Sequence, residues 1–250
     1  MIEYGTAFRL GSIRPERLSA FPGPVPNPPA GQNATMATNQ TPAPTRLTRM
    51  TDKAVTELAA LHALLEDVLL GHVAVVVDGH PVAFPTAVAR DGERLLVHGS
   101  TGSSWLRSLS SGAPASVTVT AMDAVVVARA TFESSFHYRS AVLFGRFTAL
   151  AGEDKERALD VLVDRILPGR SGELRRPNKR ELAATLICAM PIDQWSLKVS
   201  ERWPDDLPED VDGPAWAGIV PLRHGYGDPV PAPDLRDGVP VPPSVRALTE

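Results

Sequence analysis

The sequence predicts a mainly β protein in which an antiparallel sheet closes into a barrel or sandwich, with helices at its periphery. Alternating or β-branched runs at residues 72–77 and 115–120 are typical of strands. The pairs Asp78-Gly79 and Asp91-Gly92 are typical of the tight turns that join neighbouring strands. Roughly five or six strands follow one another in mid-chain, so the sheet must close or be covered to protect its edges.

Composition sets the predicted domain boundaries. The chain has 250 residues, of which 43% are hydrophobic, enough for one good core. Eight prolines lie in residues 1–46 and ten in residues 204–250, whereas only six lie between them. Because proline-rich segments favour extended chain, we predict a disordered extension over 1–46, one folded domain over 47–203 and a Pro-rich arm over 204–250. Met36 opens a segment that resembles a start in its own right, which predicts that residues 1–35 are absent from the native protein.

Charge and cysteine content exclude several classes of protein. The net charge of -4 gives no general attraction to nucleic acid or to an anionic membrane. No apolar run approaches the ~18 residues that a membrane span needs, and no basic-then-apolar leader is recognised. The single cysteine, Cys188, lies in an apolar run and is predicted to be a buried small hydrophobe in a reducing compartment. We therefore expect a cytoplasmic protein.

Local patterns predict the elements in order. Apolar residues with helical spacing predict a helix from Thr51 to Leu69, ended by Gly71. A short helix is predicted after the third strand and a longer one at 154–167, and Met122-Asp123 is predicted to turn the chain between the fourth and fifth strands. The strands are predicted at 72–77, 82–89, 94–98, 115–120, 124–132, 137–150, 185–191 and 195–199.

A stretch rich in hydroxyl groups, the hydroxyl loop, separates the third strand from the short helix. Small residues between a strand and a helix leave backbone N–H groups free at the helix start, where the helix dipole also favours an anion. We interpret this loop as a candidate phosphate site; the alternative is an ordinary capped turn, because Ser and Thr are common N-caps. The loop consists of His98, Gly99, Ser100, Thr101, Gly102, Ser103, Ser104 and Trp105.

The order of helix, hairpin, His-Gly-Ser strand end, short helix and two long strands resembles the flavin-binding split-barrel family related to pyridoxamine 5'-phosphate oxidase. The segments that carry the resemblance are His98–Arg107, Ser135–Gly145 and Ala215–Leu222. The nearest branch includes the nitroimidazole-resistance proteins. The resemblance implies a six-stranded antiparallel split β-barrel that forms a homodimer and binds FMN in the groove between the subunits.

Two motifs match the family residue by residue: its phosphate loop and its Tyr-Arg-Ser strand start. An arginine can bind a phosphate bidentately, and hydroxyls add neutral donors. Many relatives carry a basic residue in place of Ser103 or Ser104, and Asn in place of His137. Lys198, in the predicted closing strand 195–199, matches a further basic position of the family. The resemblance thus implies cofactor-binding roles for His98, Gly99, Ser100, Thr101, Ser103, Ser104, Trp105, His137, Tyr138, Arg139, Ser140 and Lys198.

Other interpretations of these residues stay open. His137 can be a proton donor, an axial ligand to haem or a hydrogen-bonded strand histidine, since imidazole serves all three roles. Arg139 can instead be a structural arginine paired with Asp123 or Glu133, and Lys198 an exposed strand lysine. Because no Cys or carboxylate cluster accompanies the histidines, no metal site is assigned. Catalytic side chains are not predicted.

The residues and the resemblance together predict an FMN-dependent oxidoreductase that acts on an unidentified small molecule. The flavin carries the hydride or electron chemistry, and the protein positions it. The alternatives are the same fold with a deazaflavin or haem, and a non-catalytic flavin-binding protein. The sequence lacks a Gly-x-Ser-x-Gly elbow and a Gly-x-x-x-x-Gly-Lys loop, which argues against a serine hydrolase or a nucleotide triphosphatase.

Overall fold

The computed structural model describes residues 45–249 and confirms an antiparallel β fold with short helices. Single 3-10 turns lie at Thr51–Lys53 and Arg170–Glu173. The strands are β1 (Ala54–Val55), β2 (Leu70–Val77), β3 (His80–Asp91), β4 (Arg94–Ser100), β5 (Pro114–Val127), β6 (Ser135–Arg146), β7 (Thr148–Ala149), β8 (Thr185–Pro191), β9 (Trp195–Ser200) and β10 (Gly218–Pro221). The helices are α1 (Leu58–Asp67), α2 (Ser104–Ser110), α3 (Gly152–Ile166), α4 (Lys179–Ala184), α5 (Pro208–Val211) and α6 (Pro243–Thr249).

The barrel is split where β3 changes partners. Residues 80–87 of β3 pair with β2, whereas residues 88–91 pair with β4. The strand order is β1-β9-β6-β5-β2-β3-β4-β8-β7, with β10 added to β5. β9 and β8 are each the second strand from one end of this order. Because they are consecutive in the chain, the short connection between Pro191 and Trp195 joins the two sides of the sheet.

The described residues form ten strands rather than the six that the resemblance implies. The long strands β2–β6, β8 and β9 make the barrel wall. The remaining strands, β1, β7 and β10, are short and pair with β9, β8 and β5 respectively. The predicted fold class is therefore confirmed, and the higher count comes from short edge strands and from the division of the closing strand into β8 and β9.

Alternate residues of the wall strands form the core. Val73, Val117 and Leu143 are fully buried inside the barrel, where leucines of α1 and α2 join them. Burying side chains of this size is the main source of stability in such a barrel. A second cluster forms where α3 packs on the sheet of β3, β4 and β8; it contains Ala89, Leu96, Ala158, Leu162, Ile187 and Ala189.

The opposite face of β2, β3, β5, β6 and β9 is largely uncovered in the described chain, and we call it the open face. The end of β9 is the exception, because Lys53 Nζ donates there to Oγ of the buried Ser200 at 3.0 Å. On β2, for example, Leu70, His72 and Val76 are exposed, whereas the intervening Val73 and Val75 are buried. The strand registers place several exposed hydrophobic side chains on this one face. They are Leu70, Val76, Met122, Val125, Phe136 and Val220.

Some local predictions are wrong. Met122-Asp123 is not a turn, because β5 runs on to Val127 and absorbs Asp123 in a β-bulge, which adds a residue without reversing the chain. The strand predicted at 124–132 accordingly ends at Val127. Gly71 does not end the first helix but lies within β2, where a Cβ would approach Val88 Cγ1 to 2.7 Å.

The first helix is also shorter than predicted. It begins at Leu58 rather than Thr51, because Ala54 and Val55 pair with β9 as β1, and this pairing overrides the helical spacing. The predicted start at Met36 and nearly all of the extension over 1–46 lie outside the described residues. The domain boundaries stay predictions. Within residues 45–249, no helix is both long and apolar enough to cross a membrane.

Cys188 lies fully buried in the barrel core, opposite Val97 on β4, as its apolar sequence context predicts. Burial raises the pKa of its thiol to about 11. At pH 8 about one thiol in a thousand is therefore ionised, compared with about a quarter for an exposed cysteine.

We expect native Cys188 to resist iodoacetamide at pH 8, because both access and ionisation are suppressed. The same thiol should be alkylated fully in denaturant, which serves as the control. Mass spectrometry of the intact protein measures both. Rapid alkylation of the native protein at this pH would contradict the buried position of Cys188.

Candidate functional site

The hydroxyl loop leaves the end of β4 and is held by backbone and side-chain hydrogen bonds. The Thr101 amide donates to the carbonyl of Ala184 at 3.0 Å, which ties the loop to the end of α4. The Gly102 amide donates to Ser100 Oγ at 3.1 Å. Arg107 Nη1 folds back from α2 and donates to the carbonyls of Thr101 and Gly102, at 3.1 and 2.6 Å. The loop is thus a fixed turn, and the neighbouring cation of α2, Arg107, is used to fix it.

Two hydroxyls of this loop have no hydrogen-bond partner in the part of the chain that the structure describes. Ser103 is the N-cap of α2, but its side chain makes no capping bond. Neither Ser103 nor Ser104 makes a side-chain hydrogen bond anywhere within residues 45–249. Both groups are available as neutral donors to an anion, and the phosphate site stays a prediction.

His98 and Trp105 form the apolar side of the loop. His98 Nδ1 is buried and lacks a hydrogen-bond partner in the described chain, and burial lowers the pKa of the imidazole. Burial thus favours the neutral form of His98. Trp105 stacks on Phe84 of β3, with ring centroids 5.1 Å apart, beside the split between β3 and β4. Gly99 lies between them and its Cβ position is 3.3 Å from Leu106 Cδ2.

A second group of predicted residues meets on the open face. Ser140 of β6 is directly opposite Lys198 of β9, and Ser140 Oγ lies 2.9 Å from Thr120 Oγ1. Lys198 Nζ lies 6.0 Å from the centre of the Tyr138 ring, within reach of a weak cation–π contact. The sheet thus brings together three predicted residues, Tyr138, Ser140 and Lys198, which supply a phenol, a hydroxyl and a cation.

Arg139 lies on the other face of β6 and is already paired. Its guanidinium donates two hydrogen bonds to the Asp123 carboxylate, at 3.0 and 2.8 Å, and a third to Asp67 Oδ2 at 2.5 Å. The bonds to Asp123, followed by those to Asp67, raise the pKa of Arg139. Pairing with Asp123 is one of the two arrangements left open by the sequence, and Glu133 takes no part. A phosphate at Arg139 would have to displace a carboxylate, so the cofactor role of Arg139 stays a prediction.

His137 shares the face of Arg139 rather than that of Tyr138. Its Nε2 lies 2.9 Å from the carbonyl oxygen of Arg202, so this nitrogen is used within the chain. The interpretation as a hydrogen-bonded strand histidine matches this contact. The roles of His137 as proton donor or haem ligand stay predictions.

The structure therefore divides the predicted residues into three groups: the hydroxyl loop, the open-face group, and the inward pair of His137 and Arg139. The loop shares no hydrogen bond or ion pair with Arg139 within residues 45–249. The sequence pattern does not indicate that Asp67 and Asp123 both pair with Arg139, nor that Arg107 holds the loop. Only the β5 bulge and the chain path bring these groups together, and neither has a sequence signal of its own. Residues 45–249 also contain no cluster of three or more His, Cys, Asp or Glu side chains that could hold a metal ion.

A sequence model described as pyridoxamine 5'-phosphate oxidase matches residues 57–199 of the chain. No curated protein matches the chain. Among solved structures, the FAD and heme binding protein from Mycobacterium smegmatis is 56% identical, with a TM-score of 0.77. That match covers 79% of this chain and 97% of the other.

Two further structures share the fold. The flavocytochrome Anf3 from Azotobacter vinelandii is 30% identical with a TM-score of 0.76, covering 82% of this chain and 95% of its own. A putative 5-nitroimidazole antibiotic resistance protein from Bacteroides thetaiotaomicron is 15% identical with a TM-score of 0.51, covering 58% and 86% respectively. At that identity the last match supports the fold alone.

We expect Arg139→Ala to lower the unfolding free energy of the cofactor-free protein by about 1–3 kcal/mol, because Asp123 loses both of its bonds. Arg146→Ala is the matched control: it lies on the same strand and donates only to the Gly112 carbonyl. Denaturant unfolding and flavin titration on the same variants measure both effects. Flavin affinity that falls more than tenfold while stability is unchanged would instead assign Arg139 to the phosphate.

Proposed function

Because this chain belongs to the pyridoxamine 5'-phosphate oxidase family, we propose that it is a redox protein that binds both FAD and haem. The observation that carries the proposal is its 56% identity to a protein named for binding these two groups, over 97% of that protein. The sequence predicts FMN, with haem as an alternative. FAD contains the same ring system and the same first phosphate as FMN, so the donors identified for one serve the other.

The side chains fit a flavin phosphate. The unpartnered hydroxyls of Ser103 and Ser104 stand at the start of α2, where backbone dipoles also favour an anion. Arg107 stabilises the loop by donating hydrogen bonds to the carbonyls of Thr101 and Gly102. Lys198 places a positive charge on the open face beside Tyr138 and Ser140, where it can offset negative charge on a reduced flavin or on an anionic substrate.

The open face supplies the extended apolar surface that a haem requires. When bound, a flavin supplies hydride and one-electron chemistry and a haem supplies one-electron chemistry. The role of the protein is to bind and orient these groups and to exclude water. No side chain has to act as a nucleophile. We propose an oxidoreductase with an unidentified small-molecule substrate on this basis.

We also propose that the protein is a homodimer formed through the open face. This face exposes hydrophobic side chains such as Leu70, Val76 and Phe136, more than isolated surface hydrophobes explain. Its charged strand residues are few: Lys198 lies on the outermost long strand and Arg146 at the end of β6. A surface with little charge can meet a second copy of itself without opposing like charges.

The visible spectrum of the purified full-length protein tests the cofactor proposal. We expect the flavin bands together with an intense Soret band. Chromatography of the flavin released by heat should identify FAD. Release of FMN would contradict the FAD assignment and support the FMN that the sequence predicts. A colourless protein that binds neither added FAD nor added haemin would reject the proposal.

The dimer proposal is tested by placing a charge on the open face. We expect Leu70→Glu to convert the protein into a monomer at micromolar concentration, because two carboxylates would be desolvated at the interface. Leu174→Glu is the matched control, since Leu174 is similarly exposed (47% against 51%) but lies outside the open face. Light scattering measures both. A monomeric wild type, or a Leu70→Glu dimer as stable as wild type, would contradict the proposal.

A further inference from the structure

One histidine lies on the part of the open face that β3, β2 and β5 form. His72 lies on β2, between Pro85 on β3 and Thr118 on β5. It is exposed, and its imidazole makes no hydrogen bond or ion pair with any residue of 45–249. Both ring nitrogens are thus available, one of them to a ligand that approaches from outside the sheet.

The side chains opposite His72 on the two neighbouring strands are smaller than its own ring. The register surrounds it with the short side chains of Ala74, Pro85 and Thr118, and with Ala83 and Ser116 at the next positions of the neighbouring strands. The imidazole therefore rises above a shallow, nearly uncharged surface. Larger apolar side chains flank this surface at Leu70 and Val76 on the same strand.

The other histidines are less suited to bind a large planar ligand. His98 has its Nδ1 buried, and His137 uses its Nε2 on the Arg202 carbonyl. His62 Nε2 is also buried and lies 3.6 Å from a carboxylate oxygen of Glu93.

The two remaining histidines are exposed but off the open face. His80 pairs with Val77 at the end of the β2–β3 hairpin, so it shares the face of the core valines. His224 lies beyond β10, outside the sheet. Among the histidines, His72 is thus the one that combines an imidazole unpaired within residues 45–249 with small side chains on both neighbouring strands.

We propose that His72 is an axial ligand of the haem iron. The inference rests on the proposed function, since it assigns a residue to the haem proposed there. A flat macrocycle with apolar faces suits small neighbours that do not reach past the imidazole, and a neutral imidazole is a common axial ligand. Because the open face is also the proposed dimer surface, the second copy would shield the haem from water.

The test uses full-length protein in three forms: wild type, His72→Ala and His80→Ala. His80→Ala is the matched control, because His80 is also exposed and also unpaired within residues 45–249 but lies on the other face of the same hairpin. Haemin is titrated into each form, and the Soret band, the electron paramagnetic resonance spectrum and the flavin content are recorded. We expect His72→Ala to bind haem at least about tenfold more weakly, with an altered spin state, and to keep its flavin and its melting temperature.

A rescue experiment separates ligation from packing. Added imidazole should restore the wild-type haem spectrum in His72→Gly, which a merely structural role would not allow. Unchanged affinity and spectrum in His72→Ala would overturn the assignment while leaving the haem proposal intact. If wild type itself binds no haem, the haem part of the proposed function fails and this inference fails with it, whereas retained flavin would leave the flavin part standing.

Discussion

The structure depends on the strict alternation of side chains along the long antiparallel strands, above all β5 and β6. Their register places Val117 opposite Leu143 and Val119 opposite Ala141 on the core side, and these residues build the barrel interior. The same alternation leaves the other side of both strands without cover. The core and the open face are therefore two results of one constraint. A slip of one residue would exchange them, because it would turn every side chain to the opposite face.

Local pattern was sufficient to predict most of the fold. The bounds of β8 coincide with the predicted 185–191, since a run of apolar residues between polar flanks leaves little freedom. The wrong predictions concern segments whose secondary structure depends on pairing with a strand that is distant in sequence. The pairing of Ala54 and Val55 with β9 turns the predicted helix start into a strand, and no local signal encodes that pairing. The extra edge strands have the same origin, since β10 forms only because β5 extends beyond the end of β2.

The candidate site was predictable in its parts but not in its assembly. The hydroxyl loop is contiguous in sequence, and its strand-to-helix position could be predicted from spacing alone. The grouping of Tyr138 and Ser140 with Lys198 joins strands that are distant in sequence, and only the resemblance to a family indicated it. His72 carries no sequence signal at all. Its setting arises from small residues on two neighbouring strands, and single-sequence patterns do not record which strands become neighbours.

The bulge at Asp123 gives Arg139, the arginine of the Tyr-Arg-Ser motif, a role in the fold that is separate from its predicted role in ligand binding. Without the extra residue, Ala124 and Val126 would follow Met122 onto the open face, but with it they point into the core, where both are buried. The bulged residue also supplies the carboxylate that holds Arg139, and Arg139 in turn reaches Asp67 at the end of α1. These ion pairs tie the bulge, β6 and the first helix into one unit. Arg139, an arginine in a family motif, therefore has structural partners in this barrel that are independent of any contact with a phosphate.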